Sequence, residues 1–251
     1  MNNKIALITG GSRGLGKSAA LMLAQKGHHV ILTYHTKKNE AEQVALDIQK
    51  LGQKSTALQL DTGNISSFIS FTNQVSSVLK DWNYSKFDFL INNAGIGATI
   101  PFEQATEADF DKFSNIHFKG VYFLTQKLLP LINDNGRIIN LSSGTTRFCV
   151  PGYSIYASMK GAIEVFTRYL AKELGPRGIT VNVVAPGPIE TDFNNAAIRN
   201  NPQMKGFLAS QTALGRVGEA DDIGKVISLI CSDESKWING QRIEASGGIN
   251  L

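Results

Sequence analysis

Short apolar runs alternate with longer amphipathic stretches along the whole chain. Residues 5–9, 30–33, 56–60, 87–91, 137–141 and 180–185 are brief and often β-branched, and several lack polar alternation. That is the pattern of strands covered on both faces. A seventh strand is expected near 241–245. Between these runs, residues 16–26, 40–51, 65–79, 110–131, 154–174 and 221–231 read as helices, with apolar positions at helical spacing in Ala19-Ala20-Leu23-Ala24 and Val44, Ile48, Leu51. The alternation predicts an α/β fold, a doubly wound, seven-stranded, mostly parallel sheet with right-handed crossovers and helices on both faces. No internal repeat and no Pro-, Gly- or Ser-rich linker divides it, so residues 1–251 are expected to form one domain. The least regular region, 186–218, holds Pro186, Pro188 and Pro202 and predicts a lid over a pocket at about 192–215.

Composition narrows the function classes. Of 251 residues, 42% are hydrophobic and 18% charged, which excludes a disordered chain. The 25 Lys and Arg exceed the 21 Asp and Glu by four, but no cluster of basic residues forms the footprint of a nucleic-acid site. No apolar run reaches membrane length. Met1-Asn2-Asn3-Lys4 leads into the first strand without a leader core, so a cytoplasmic protein is expected. Cys149 and Cys231 read as buried or half-buried thiols in a reducing compartment. The four histidines lack metal-ligand spacing, so no catalytic metal is expected.

The first strand ends in Thr9-Gly10-Gly11-Ser12-Arg13-Gly14-Leu15-Gly16, and a helix follows at once. Glycines let the backbone turn tightly against a pyrophosphate, while the helix N-terminus turns free N–H groups toward its charge. The spacing Gly-x-x-x-Gly-x-Gly differs from G-x-G-x-x-G, and a glycine-rich turn can also be purely structural. Its place between an N-terminal strand and a helix points to a dinucleotide and a Rossmann-type arrangement. The second strand ends in Leu32-Thr33-Tyr34-His35-Thr36-Lys37-Lys38, with no carboxylate before Glu40 to hold a free ribose. A 2′-phosphate would meet no repulsion there, and Arg13, Lys37 and Lys38 would attract it. The competing reading is that Lys37 and Lys38 only solvate a helix start. NADP(H) is the expected cofactor, with Tyr34, Thr36 and Lys37 among the residues that bind it.

Tyr156-Ala157-Ser158-Met159-Lys160 places Tyr and Lys on one helical face. A cation beside a phenol favours phenolate and lowers its pKa, which suits a proton donor to a carbonyl. The strand 137–141 ends in Ser142-Ser143, at the edge where open α/β sheets place ligands, although serine there is also a common cap or turn residue.

Taken together, Thr9-Gly10-x-x-x-Gly14-x-Gly16, Asn92-Asn93-Ala94-Gly95, Ser143, Tyr156-x-x-x-Lys160 and Pro186-Gly187 resemble the short-chain dehydrogenase/reductase family over essentially the whole chain. The resemblance is strongest to its 3-oxoacyl-[acyl-carrier-protein] reductase branch. It implies that Tyr156 protonates the carbonyl oxygen, that Lys160 lowers the Tyr156 pKa and binds the nicotinamide ribose, and that Ser143 polarises the carbonyl. Ser142 is the alternative to Ser143. The turn residues Gly10, Ser12, Arg13, Gly14, Leu15 and Gly16 would hold the pyrophosphate. Asp61 would bind adenine beside Thr62, and Asn92, Ala94 and Gly95 would line the adenosine-ribose side. Pro186, Gly187 and Ile189 would border the nicotinamide, and Thr191 would reach its carboxamide or the phosphates.

One position departs from that pattern. His117, in Ile116-His117-Phe118-Lys119-Gly120, stands where the family carries an Asn that stabilises a helix irregularity and holds a relay water. Asn115 should face elsewhere, since a helix turns about 200° over two residues. An imidazole could serve a modified relay, or it could simply pack. The substrate pocket is expected from 145–153, 96–102 and 193–214. Phe148, Cys149, Val150, Phe193, Phe207 and Leu208 would supply apolar walls.

The expected reaction is reduction of a ketone, an aldehyde or a 3-oxoacyl thioester. A secondary-alcohol or sugar dehydrogenase is the alternative within enzymes, and a nucleotide-binding pseudoenzyme or scaffold the alternative outside them. An acidic acyl carrier protein would need a basic face, to which Arg168, Lys172 and Arg177 could contribute. The turn Asn133-Asp134-Asn135-Gly136 lacks the basic residues such reductases often carry. The family implies a homotetramer built on helices 110–131 and 154–174 and on the C-terminal segment, with Ile249-Asn250-Leu251 buried between subunits.

Overall fold

A computed structural model describes residues 3–251; Met1 and Asn2, which open the segment read above as lacking a leader core, lie outside the described residues. Strands β1 (Ile5–Ile8), β2 (His29–Tyr34), β3 (Ser55–Gln59), β4 (Phe87–Asn92), β5 (Ile132–Leu141) and β6 (Thr180–Pro186) carry the sheet. A short parallel pair, β7 (Ile189–Glu190) and β8 (Gly218–Glu219), precedes the last sheet strand, β9 (Arg242–Ala245). The seven-stranded order is β3-β2-β1-β4-β5-β6-β9, parallel throughout. β1 and β6 are buried along their whole length; β1 reads as an unbroken apolar run and β6 as one broken only by Asn182 after Thr180.

Two layers of helix enclose this sheet. α1 (Gly14–Gln25) and α2 (Lys38–Lys50) share one core with a late helix through Leu23, Val44, Ile48, Ile223 and Ile227. The other face is covered by α3 (Phe68–Asp81), α4 (Glu107–Ser114), α5 (Gly120–Leu128) and α6 (Ser154–Leu174), with Phe68, Phe71, Leu124, Leu128 and Leu174 packed on Ile5, Leu90 and Ile138. A single turn, α7 (Phe193–Ala196), and α8 (Pro202–Ser210) follow, and α9 (Ala220–Ile230) completes the first layer.

Two expectations need correction. The single helix expected over 110–131 is four pieces, the last a 3-10 turn at Leu129–Leu131. It starts earlier, at Glu107, because Thr106 and Asp109 form a reciprocal cap. Residues Asn115–Lys119 then form a π turn in which the Gly120 N–H reaches the Asn115 carbonyl. Gly120 is confined there: a Cβ would lie 2.0 Å from the Thr62 carbonyl oxygen. The irregular region 186–218 also contains structure, since Asn201 caps α8 by accepting from the Met204 N–H and Pro202 fills its first turn.

The chain builds β1, β2 and β3 toward one edge, then crosses to lay β4 on the other side of β1. At such a switch point the loops leaving the two strands diverge and leave a crevice. A row of buried amides braces the sheet just beneath it. Asn92 Nδ2 donates to Thr125 Oγ1 at 3.0 Å and to Asn140 Oδ1 at 2.8 Å, and Asn140 Nδ2 donates to Thr167 Oγ1 at 2.9 Å. Cys231 is buried, and burial pushes its thiol up to about 12, whereas Cys149 is exposed rather than half-buried. Among the described residues, no helix is long and apolar enough to cross a membrane.

Candidate active site

A cleft of about 1100 Å³ opens at the carboxyl ends of β1, β4, β5 and β6. One end is the turn from Gly10 to Gly16. Thr33 secures it, accepting the Gly10 N–H on Oγ1 at 3.1 Å and the Gly11 N–H on its carbonyl oxygen at 2.8 Å. Asn93 Nδ2 holds the other side by donating to the Thr9 and Gly10 carbonyl oxygens at 2.9 and 3.0 Å. A Cβ at Gly16 would fall 2.2 Å from the Gly10 carbonyl oxygen, so only glycine closes this turn. The first turn of α1 has no side-chain cap and no acidic residue. Its N–H groups are therefore free for an anion, and the donor set fits a pyrophosphate.

Gly10, Ser12, Arg13, Gly14, Leu15, Tyr34, Thr36, Lys37, Asp61, Thr62, Ala94, Gly95, Pro186, Gly187, Ile189 and Thr191 all line the cleft. Two expected residues do not. Gly16 is packed beneath the turn. Asn92 points into the amide row, because it is the last residue of β4 and side chains alternate there. Its neighbour Asn93 is the one that faces the cleft. Lys37 sits 3.4 Å from Glu40, while Lys38 pairs with Glu42 at 3.6 Å and does not line the cleft.

Ser143, Tyr156 and Lys160 meet further along the cleft. Ser143 follows β5, and its Oγ accepts from the Thr145 N–H at 3.2 Å and from Thr145 Oγ1 at 3.0 Å. A hydroxyl has two acceptor sites and one proton, so this arrangement leaves the proton to donate. Ser142 faces the structure instead, donating to Glu164 Oε1 at 2.6 Å. Tyr156 and Lys160 lie one turn apart on α6, with Lys160 Nζ 5.6 Å from the Tyr156 ring centroid and donating to the Leu141 carbonyl oxygen at 2.8 Å.

The expected depression of the Tyr156 pKa is not what this geometry produces. Burial pushes the phenol up to about 12, outweighing the Ser143 hydroxyl, which pulls it down, and Tyr153 adds to the rise. Burial also drives Lys160 down to about 8.

His117 belongs to the π turn and is almost wholly buried. Its ring stacks on Phe113 at 5.5 Å and presses on Gly95, where a Cβ would come within 2.7 Å of it. Nε2 lies 2.9 Å from the Ile96 carbonyl oxygen and 3.2 Å from the Ile96 nitrogen, while Nδ1 is buried with no partner. Burial, then Lys160, holds its pKa well below the usual histidine value, so the ring is neutral. Asn115 does reach the cleft, contrary to expectation, because the π turn breaks the helical rotation.

Much of the remaining wall is apolar, from Phe148, Val150, Tyr153, Phe193, Met204, Phe207, Leu208 and Ile249, with Thr99, Lys112, Asp192 and Asn194 among the polar residues that interrupt it. Cys149 and Phe102 are not among them. Tyr153 Oη accepts from Asn194 Nδ2 at 3.0 Å, joining residues 193–196 to the wall beside Tyr156. Tyr153 and Asn194 fall within the ranges expected to build the pocket, whereas sequence reading missed Asn93, although it lay inside a quoted motif, and Ile249. Ile249, expected to be buried between subunits, bridges Thr212 and is buried within this chain, whereas Leu251 is exposed.

The profile of a family described as enoyl-(acyl carrier protein) reductase matches residues 10–250. Tetrahydroxynaphthalene reductase PfmaG of Pestalotiopsis fici is 36% identical over 98% of this chain and 91% of its own length. The solved structure of LugOII, a promiscuous reductase that catalyses keto-reduction at C1 during lugdunomycin biosynthesis, superposes with a TM-score of 0.94 at 36% identity, covering 99% of this chain and 98% of that one. The angucycline C-6 ketoreductase LanV with bound NADP superposes with a TM-score of 0.94 at 34% identity, over 99% and 96%. LanV has also been solved with NADP and rabelomycin. The chain therefore belongs to the short-chain dehydrogenase/reductase family of oxidoreductases.

Proposed function

We propose that this protein is an NADP(H)-dependent carbonyl reductase acting on a bulky, largely apolar ketone. The observation that carries the reading is the single cleft with an uncapped helix N-terminus and the cations Arg13 and Lys37 at one end, and Ser143, Tyr156 and Lys160 at the other. The turn Gly10–Leu15 would hold the pyrophosphate, Asp61 and Thr62 the adenine, and Arg13 and Lys37 the 2′-phosphate. When bound, NADPH supplies the hydride. Ser143 donates its free hydroxyl proton to the carbonyl oxygen. Tyr156, kept protonated by its burial, gives that oxygen the proton that completes the alcohol, and Lys160 restores it. Residues 192–215 close over the substrate and exclude water.

The apolar walls and the polycyclic ketones handled by similar reductases favour a ring ketone over a sugar. A 3-oxoacyl thioester on a carrier protein has less support, because Arg177 is already engaged by Asp134 at 2.8 Å and by the Leu129 and Ile132 carbonyl oxygens. We read residues 1–251 as one cytoplasmic domain. Exposed Tyr122, Val165 and Tyr169 on α5 and α6 support a homotetramer joined through those helices.

The test is NADPH oxidation with 2-tetralone, a hydroxynaphthoquinone, ethyl acetoacetate and an acetoacetyl thioester. Turnover of the ring ketones is expected to lead. Tight NADPH binding with no turnover of any member would instead identify a nucleotide-binding scaffold.

A further inference from the structure

Four charged side chains from distant parts of the chain form a continuous series of ion pairs beside the Ser143 turn. Arg242 Nε meets Glu164 Oε1 at 2.8 Å and Arg242 Nη1 meets Glu244 Oε2 at 2.8 Å. Glu244 in turn receives Arg147, through Nη2 on Oε1 at 2.7 Å and Nε on Oε2 at 2.9 Å. None of the four lines the cleft, yet they grip the backbone and side chains on both sides of Ser143. Glu164 Oε1 accepts from Ser142 Oγ at 2.6 Å and from Thr146 Oγ1 at 2.7 Å. Arg242 Nη2 donates to the Ser143 carbonyl oxygen and to Thr146 Oγ1, both at 3.2 Å.

The turn so held needs outside support. Residues Gly144–Thr146 form a three-residue 3-10 turn, a conformation with poor hydrogen-bond geometry of its own, and Ser143 caps it in an extended conformation. The direction of the Ser143 hydroxyl follows the position of Thr145, which occupies both of its acceptor sites. All four charged side chains retain some exposure, so their pairs contribute little stability individually. A fork that bridges a carboxylate and a main-chain carbonyl does fix geometry, and an arginine supplies that fork where a lysine cannot. The Arg147 guanidinium holds the Glu244 carboxyl down to about 2, against its burial, so Glu244 stays charged at neutral pH.

We propose that Arg242 and Glu164 are positioning residues for carbonyl reduction, pinning residues 142–147 from outside the cleft so that the Ser143 hydroxyl and Tyr156 reach the same carbonyl oxygen. This rests on the role given to Ser143 above. The test is a double-mutant cycle on the full-length protein, with the ketone of the panel that turns over fastest and with NADPH affinity read separately by fluorescence.

Arg242→Met is expected to lower kcat about 10- to 100-fold with NADPH affinity unchanged, as a misplaced catalytic group does. Glu164→Gln keeps the acceptor for Ser142 and Thr146 but loses the charge facing Arg242, so its loss should be smaller than that of Glu164→Leu. Added to Ser143→Ala, Arg242→Met should cost nothing further. The proposal is overturned by wild-type kcat in Arg242→Met, or by an equal fold-loss in the Ser143→Ala background. Wild-type kcat in Ser143→Ala itself would overturn the role of Ser143, and the proposal with it. Should Arg242→Met fail to fold, Arg242→Lys keeps the charge without the fork, and the same cycle applies.

Discussion

The imidazole of His117 stands edge-on to the phenol of Tyr156, with ring centroids 5.2 Å apart and planes at 89°. The same imidazole bonds the backbone of Ile96. It thus ties Tyr156 to the loop that leaves β4, and it does so as a neutral ring.

That neutrality gives a pH signature. The folded His117 pKa lies well below 6.5, mainly through burial. The unfolded chain therefore binds a proton as the pH falls below about 6.5 while the folded chain does not, and stability is lost there at up to about 1.4 kcal/mol per pH unit. Denaturant unfolding from pH 7 to 5 should show this slope reduced in His117→Asn. In turnover, His117→Asn should keep activity and His117→Ala should lose about tenfold, the scale of a small misplacement. Indifference to both changes would remove His117 from the mechanism.

Lys160 loses its charge within an accessible pH range. Its pKa is pushed down to about 8 by burial, so the ammonium is present below that pH and disappears above it. kcat/KM for NADPH, which reports the free enzyme, should decline above about pH 8. Lys160→Met should abolish that break along with most activity.

Arg13 and Lys37 both line the cleft where the end of β2 carries no acid. If they face a 2′-phosphate, Arg13→Ala and Lys37→Ala should each raise KM for NADPH about tenfold, the value of one charged hydrogen bond. KM for NADH should not change. Comparing the two cofactors separates phosphate recognition from simple solvation of α2.

Asn194, Asn195 and Ala196 lie in succession in the left-handed region, at φ 51°, 57° and 56°. Asparagine tolerates that conformation, but alanine is disfavoured in it by about 1–2 kcal/mol. Ala196→Gly should therefore raise stability in urea by about 1 kcal/mol, the larger freedom of glycine in the unfolded chain offsetting part of the gain.

Much of the fold is legible in the order of the amino acids alone. Periodicity places all seven sheet strands, and α6 runs over the expected residues Ser154–Leu174, because its apolar stripe is long and uninterrupted. What escapes such reading depends on contacts across the fold. Asn92 and Asn93 are indistinguishable in a motif, and only the phase of β4 sends one into the amide row and the other to the cleft. The π turn at Asn115–Lys119 leaves no mark on a 3.6-residue pattern; it accompanies the close approach of Gly120 to Thr62. Ile249 reads as a tail because its neighbours Thr212 and Arg147 are far away in the chain.

Helix α6 carries Tyr156, Lys160, Glu164 and Thr167 at spacings of four, four and three residues, and the last three bond Leu141, Ser142 and Asn140 at the end of β5. One residue inserted between Tyr156 and Lys160 would rotate the phenol by about 100° relative to the ammonium, the carboxylate and the hydroxyl. Residues 197–201, between α7 and α8, have no such phase to keep. A change of length there would alter the cleft wall around Phe193 and Met204 and leave the phase of α6 as it is.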